Sequence, residues 1–179
     1  DYTGDAQPSV FEEDFIQVVS DYVKGGGTVV VCGLADYQDA NSGLPYTSYA
    51  QANALLEGIG STMRVNDDEL IDQDENGGQP YRLYFDDFNY ESADPAVQSI
   101  LAGVKESGLA YSSYSGCSVS VGEGEAIVYG HDTTYSINSK APAQGHDKPV
   151  LSYSAAYDPE TAVVQKGDVV SMATEAVGE

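Results

Sequence analysis

The chain has 179 residues and is 41% hydrophobic, which is enough for one packed core and short for two, so we predict a single domain over residues 1–179. Its 29 acidic and 7 basic residues leave a net charge of −22, which repels phosphate backbones and argues against direct nucleic-acid binding. No apolar run approaches the length of a bilayer span, so membrane insertion is not predicted either.

The acidity of the chain has three explanations that its composition does not separate. They are an acidic extracellular surface, adaptation to high salt, and cation binding. The acidic residues are dispersed along the sequence, so they do not form an acidic tail. No signal-peptide core precedes the first strand, and we interpret the chain as a segment of a longer protein.

The stretch 12–33 predicts a helix, a glycine stop and a strand. Apolar residues recur with helical spacing over 12–24, at Phe15, Val18, Val19, Tyr22 and Val23. Three glycines at 25–27 end this helix. Residues 28–32 are continuously apolar and β-branched after Thr28, which is typical of a strand covered on both faces. The pattern predicts an α/β class, with helices on both sides of a mostly parallel sheet.

The remaining elements follow from periodicity and turn residues. Helices are predicted at 48–58 and 95–103, the second with Asp94 as N-cap and Pro95 in its first turn. Strands are predicted at 62–65, 81–85, 117–121, 126–129, 150–153 and 169–172. Loops are predicted at 33–47, 66–80 and 138–148. The second half of the chain is therefore richer in strands than the first.

Cysteine usage leaves the redox state open. Cys32 lies in a predicted strand and Cys117 begins another. The two residues permit one disulfide, and they equally permit two free thiols, since a buried thiol behaves as a small hydrophobic group.

A family resemblance appears in DYVKGGGTVVVCGLADY, followed by NALLEGIGSTMRVNDDELID. These segments resemble class I glutamine amidotransferase-like domains, of the non-amidotransferase kind found in secreted bacterial multidomain proteins. The resemblance covers residues 11–72 and implies a flavodoxin-like, three-layer α/β/α sandwich. It also implies an extracellular or cell-surface location, within a larger secreted protein. The implied partners are neighbouring domains of that protein or an extracellular ligand.

Glutamine hydrolysis itself is not expected. The enzymes of that family place the nucleophilic cysteine between glycines two residues to either side, because the backbone turns sharply there. Around Cys32 these positions hold Val30 and Leu34, and Cys117 lacks the glycines as well. Neither histidine of the chain begins a His-x-Glu pair.

Two residues are candidates for a catalytic role. His131 follows the predicted strand 126–129, and Asp36 follows the strand 28–32 and the start of its loop. In a parallel sheet both would lie near the carboxyl edge, where ligands bind. With two histidines in the chain, a surface role for His131 is the alternative.

The acidic loop 72–78 is the sharpest local signal. Asp72, Asp74 and Asn76 match the first, third and fifth positions of a calcium loop, and Gly77 matches the sixth. The twelfth position, where a bidentate glutamate belongs, is Leu83. The loop therefore predicts Ca²⁺ bound by Asp72, Asp74 and Asn76, with a solvated acidic turn as the alternative.

Two functions compete at this point. The first is a non-catalytic binding or structural module, with Ca²⁺ as a candidate structural ion. The second is a metal-dependent hydrolase whose acidic residues hold an activating cation. The hydrolase would use Asp36, Asp39 and Asp132, which lack an evident base to activate water. The sequence favours the non-catalytic module.

Overall fold

A computed structural model describes residues 10–33, 47–136, 149–157 and 164–172, the last two ranges through their backbone. Within these ranges the chain forms three helices and eleven strands. The helices are α1 (Glu13–Lys24), α2 (Ser48–Gly58) and α3 (Pro95–Ser107). The strands are β1 (Val29–Cys32), β2 (Arg64–Val65), β3 (Leu70–Ile71), β4 (Arg82–Phe85), β5 (Asp87–Phe88), β6 (Tyr111–Tyr114), β7 (Val119–Ser120), β8 (Glu125–Tyr129), β9 (Tyr135–Ser136), β10 (Pro149–Tyr157) and β11 (Val164–Met172).

The strands form one larger sheet and three small ones. The larger sheet has the order β1-β11-β10-β8-β5. Among the described strands, β1 and β11 make the one parallel pair, with Val29 opposite Val169. The other pairings between described strands are antiparallel, including the two-stranded sheets β2-β7, β3-β9 and β4-β6. The prediction of a mostly parallel sheet is therefore wrong, and the fold is a mixed α/β arrangement with mainly antiparallel pairs.

The burial of β1 gives the physical reason for this error. Val31 is buried, but Val30 beside it is 54% exposed. Successive side chains of a strand point to opposite faces, so β1 is covered on one face and open on the other. Its all-apolar sequence hides this alternation, and the prediction of a strand buried on both faces is wrong.

The described side chains pack into two hydrophobic clusters. In the first cluster, side chains of α1 and α2 pack against those of β1, β2 and β7. Helix α3 closes the second against β4, β5 and β8. The largest fully buried side chains are Phe85, Leu56, Met63, Leu70, Leu83 and Ile127.

The helix predictions are confirmed with small differences in their ends. Helix α2 has the predicted bounds, and α1 begins one residue later than predicted. Asp94 caps α3 as predicted, because its carboxylate accepts hydrogen bonds from the Ala96 and Val97 amides. Helix α3 continues past Gly103 to Ser107 and ends at Gly108, whose φ of 62° is left-handed.

Four short strands escaped the sequence analysis, namely β3, β5, β6 and β9. Two-residue strands such as β3, which lies inside the predicted loop 66–80, are too short to show alternation. Strand β6 has the polar sequence YSSY, and its pairing with β4 decides its conformation. Residues 34–46 of the predicted loop 33–47 lie outside the described residues, as does the whole of the predicted loop 138–148. No helix of the described ranges has the length and apolar character that a bilayer crossing requires.

Cys32 is exposed and Cys117 is buried, and the two are not joined in a disulfide, which decides the alternative that the sequence left open. We expect a thiol-specific reagent to modify one cysteine rapidly in the native protein and both in concentrated guanidinium chloride. Modification of Cys117 requires local or global opening, because its side chain has no exposed surface. Peptide mapping of the labelled protein would identify the site. Equal labelling rates for both thiols would contradict the burial of Cys117.

Candidate interaction surface

Helix α1 presents one apolar face to the protein core. Val23 is fully buried in the first cluster, and Ile16 and Val19 pack against that cluster. Ser20 is buried on the same side of the helix. This face therefore anchors α1 to the body of the protein through hydrophobic contact.

A second apolar face of α1 points to solvent. Phe15, Val18 and Tyr22 are 47%, 67% and 58% exposed, and Phe11, two residues before the helix, is 41% exposed. The rings of Phe11 and Phe15 contact each other, with their centroids 5.1 Å apart. We call these four residues the α1 stripe. Scattered single apolar residues are normal on a protein surface, whereas a contiguous row of large ones is typical of an interaction site.

Close packing holds the α1 stripe in place on the protein. A Cβ atom on Gly58 of α2 would lie 2.1 Å from Ile16 Cγ2, so this glycine allows α1 and α2 to approach closely. The Phe11 amide donates a hydrogen bond to Gln51 Oε1 of α2, at 2.7 Å. The ring of Tyr22 lies over Gly27, where a Cβ would be 2.2 Å from it. Contacts near both ends of α1 therefore hold the helix, and with it the α1 stripe, against the rest of the protein.

The apolar residues of α1 do not all meet the core. Their spacing placed Phe15, Val18 and Tyr22 on one face of the helix with Val19 and Val23, and the structure exposes the first three. The apolar residues span too wide an arc of the helix to face a single core. An apolar arc of this width indicates a second apolar face on the helix, but it does not predict which part of the arc is buried.

The acidic loop is organised around a buried carboxylate. The Asp72 side chain has no exposed surface, and its Oδ1 accepts hydrogen bonds from the Asp74 and Glu75 amides at 2.9 and 2.8 Å. Its Oδ2 accepts hydrogen bonds from the Thr133 and Thr134 hydroxyls at 2.7 and 3.0 Å. Burial raises the pKa of the Asp72 carboxyl, but these hydrogen bonds outweigh it and the net pKa lies below its ordinary value of 3.8.

The other two predicted ligands do not converge with Asp72 on a cation. The Asp74 side chain is exposed, and Asn76 uses its side chain for the loop itself. Asn76 Nδ2 donates to the Asp72 carbonyl and Asn76 Oδ1 accepts from the Gly78 amide, both at 2.9 Å. Within the described residues, no group of three or more acidic, histidine or cysteine side chains could hold a metal ion. The described loop is a turn closed by its own hydrogen bonds, and Ca²⁺ binding by Asp72, Asp74 and Asn76 stays a prediction.

His131 joins this loop to the end of β4. Its Nε2 donates a hydrogen bond to the Tyr84 carbonyl at 2.8 Å, because a carbonyl oxygen can only accept. Its Nδ1 lies 3.2 Å from Glu75 Oε2 and 4.0 Å from Asp86 Oδ1. Its ring also packs on Phe85, with the centroids 5.6 Å apart. These contacts hold the His131 side chain against the acidic loop and β4, and none of them is with a serine, threonine or cysteine nucleophile.

The remaining acidic candidates are not brought together with His131 by the described structure. Asp36 and Asp39 lie outside the described residues. Asp132 is exposed on the turn after His131. Asp68, which the sequence offered only as an additional ligand for a calcium loop, is a fully buried carboxylate that accepts hydrogen bonds from the Ser118 amide and hydroxyl at 2.8 and 2.6 Å. Asp68 ties the β2-β3 connection to β7, so it is a structural carboxylate.

Comparison with known proteins informs the fold. Neither a family model nor a curated protein sequence matches the chain. A solved structure described as the mmIFT52 N-terminal domain is similar, with a TM-score of 0.57 and 15% sequence identity over 93% of this chain. The chain spans 62% of the length of that structure. At this level of identity the likeness concerns the fold alone.

These findings correct the family resemblance. The resemblance to class I glutamine amidotransferase-like domains implied a flavodoxin-like parallel sheet, and the observed sheets are mainly antiparallel. The structural similarity is instead to the mmIFT52 N-terminal domain. The helix-glycine-strand motif that carried the resemblance is a local pattern shared by many folds. Nothing in these comparisons indicates secretion or calcium binding.

Proposed function

We propose that the chain is a non-catalytic protein-interaction module whose contact surface is the α1 stripe. The observation that carries this proposal is the row of four large exposed apolar side chains, Phe11 just before α1 and three on α1, beside a helix face that is already buried. Aromatic side chains are enriched at the centres of protein interfaces, and three of the four residues are aromatic. The stripe requires no conformational change to become accessible.

The hydrolase alternative has no comparable support. Its carboxylates would need to converge on one cation, and among the described residues no such cluster occurs. The buried carboxylates of Asp72 and Asp68 are occupied by hydrogen bonds within the protein. The cell-surface location and the neighbouring-domain partner stay predictions, and the proposal does not depend on them.

We expect Val18→Glu to weaken partner binding by about tenfold or more, because it places a charge in the middle of an apolar contact. A photo-reactive amino acid at position 18 would cross-link the partner in extracts of the source organism, and mass spectrometry would identify it. The purified partner would then be titrated by calorimetry against the unmodified chain and the variant. Since Val18 is 67% exposed, this substitution is not expected to impair folding.

Leu109→Glu is the matched control for this experiment. Leu109 is 64% exposed and lies outside the helices and strands, so the variant adds the same charge at similar exposure. We expect Leu109→Glu to bind the partner like the unmodified chain. Equal binding by Val18→Glu, or cross-linking that is as strong from position 109, would contradict the proposal.

A further inference from the structure

The geometry points to a basic amphipathic α-helix of another protein as the occupant of the α1 stripe, an inference that rests on the proposed function. The stripe residues 11, 15, 18 and 22 are separated by four, three and four positions. This is the spacing of the a and d positions of a heptad repeat, and such a seam packs against a second helix by inserting its side chains into the partner's gaps. Within α1 the seam from Phe15 to Tyr22 extends over roughly 10 Å, which matches about two helical turns, and Phe11 lies just before the helix with its ring against Phe15.

The charges beside the stripe indicate which helix fits. With Phe15 and Tyr22 at a positions and Val18 at the d position, the two g positions are Asp14 and Asp21. Both acidic side chains are exposed and lie one heptad apart on the same border of the stripe. In a pair of coiled-coil helices, the charged residues at e and g positions determine which partner helix is bound. Lysine or arginine on the facing border of the partner helix would therefore complement Asp14 and Asp21.

The same charges oppose two other occupants. Two copies of the chain each carry a net charge of −22, and in an antiparallel pair of α1 helices the acidic borders would face each other. A membrane with anionic lipids would be repelled for the same reason. Basic residues are scarce near the stripe, since Lys24 in the last turn is the one basic residue of α1. Charge complementarity therefore favours a basic protein helix.

Three designed peptides of about three heptads would test this inference. They share one apolar seam with a single tryptophan and differ in their flanking residues, which are lysine, glutamine or glutamate. The chain contains no tryptophan, so peptide fluorescence reports binding directly. We expect the lysine peptide to bind, with an affinity that falls as salt is raised. We expect binding to Val18→Glu to be about tenfold weaker, and binding to Leu109→Glu to be unchanged.

Two double variants test whether peptide affinity depends on Asp14 and Asp21 or on the net charge of the protein. Asp14→Asn/Asp21→Asn removes both border charges, and Glu91→Gln/Glu106→Gln removes two exposed charges elsewhere. We expect the first variant to lose about fivefold or more in affinity for the lysine peptide. We expect the second variant to retain its affinity. Equal losses in both would overturn the inference in favour of non-specific attraction to an acidic protein.

The remaining outcomes distinguish this inference from the proposed function. If the glutamine peptide binds as tightly as the lysine peptide and Val18→Glu weakens both, the stripe is an interaction surface but its partner is not selected by basic charge. If Val18→Glu affects no peptide, both the inference and the proposed contact surface fail. Sedimentation of the chain alone tests whether it forms a dimer that Val18→Glu dissociates. Flotation with anionic vesicles tests whether the chain binds lipid. A positive result in either test would overturn the inference in favour of that occupant.

Discussion

Replacement of Asp72 by alanine is expected to lower the free energy of unfolding by about 3 kcal/mol at neutral pH. The buried carboxylate accepts four hydrogen bonds, two from backbone amides of its own loop and two from threonine hydroxyls. Hydrogen bonds to charged groups are the stronger ones, and a donor left buried without its acceptor adds a desolvation cost. The measurement is urea denaturation of the unmodified chain and the variant, followed by circular dichroism.

The effect of Asp72 has a defined dependence on pH. The hydrogen bonds hold the pKa of this carboxyl below its ordinary value of 3.8 in the folded protein, although burial acts in the opposite direction. Its stabilisation is therefore complete above the unfolded pKa, and it is lost as the pH falls through the folded pKa. We expect the stability difference between the unmodified chain and Asp72→Asn to be largest near neutral pH and to shrink below about pH 4.

Asp74→Ala is the matched control, because Asp74 is exposed on the same loop and carries the same charge. We expect this variant to change the unfolding free energy by about 0.5 kcal/mol or less. A calcium site would instead make both aspartates important and would make stability depend on added Ca²⁺. Equal destabilisation by the two substitutions would contradict the account of Asp72 as an internal acceptor.

Replacement of Phe85 by alanine is expected to cost about 4 kcal/mol, the largest effect of a single substitution that we predict. Phe85 is fully buried in the second hydrophobic cluster, and it is among the largest side chains with no exposed surface. Its ring also packs on His131. The substitution removes apolar contacts and leaves a cavity between α3 and the sheet that the neighbours fill only in part.

The adjacent residue Tyr84 is the control for Phe85→Ala. Tyr84 points to the opposite face of β4 and is 42% exposed. We expect Tyr84→Ala to cost about 1 kcal/mol or less, because most of what it loses is surface contact. Chemical denaturation of both variants would measure the difference. Similar losses at the two positions would contradict the assignment of the β4 faces.

Local patterns predicted the elements whose stability depends on neighbouring residues in the sequence. The Asp94-Pro95 start of α3 is an example, since the capping carboxylate reaches amides two and three residues ahead. Helix α2 was predicted with its observed bounds for the same kind of reason. The glycine-rich end of α1 and the strand after it were also visible in the sequence. These signals concern contacts within about one or two helical turns.

Contacts between residues far apart in the sequence determined the geometry of the candidate sites. The hydroxyls that bind Asp72 Oδ2 come from residues 61 and 62 positions further along the chain, so no local pattern in the sequence predicted these hydrogen bonds. The exposure of the α1 stripe depends on which arc of the helix meets α2. His131 was recognised as a candidate, but its partners Glu75 and Tyr84 come from a different part of the chain.

By itself the sequence determined the helices, most of the longer strands and the strongly acidic character of the surface, because these depend on composition and on short-range periodicity. The tertiary structure alone decided that β1 pairs in parallel with β11 while the other described pairs are antiparallel. Strand direction depends on how distant segments meet, and side-chain periodicity is the same in parallel and antiparallel strands. The tertiary structure also decided which apolar arc of α1 is buried, because a helix with a wide apolar arc can rotate until its neighbours select one face.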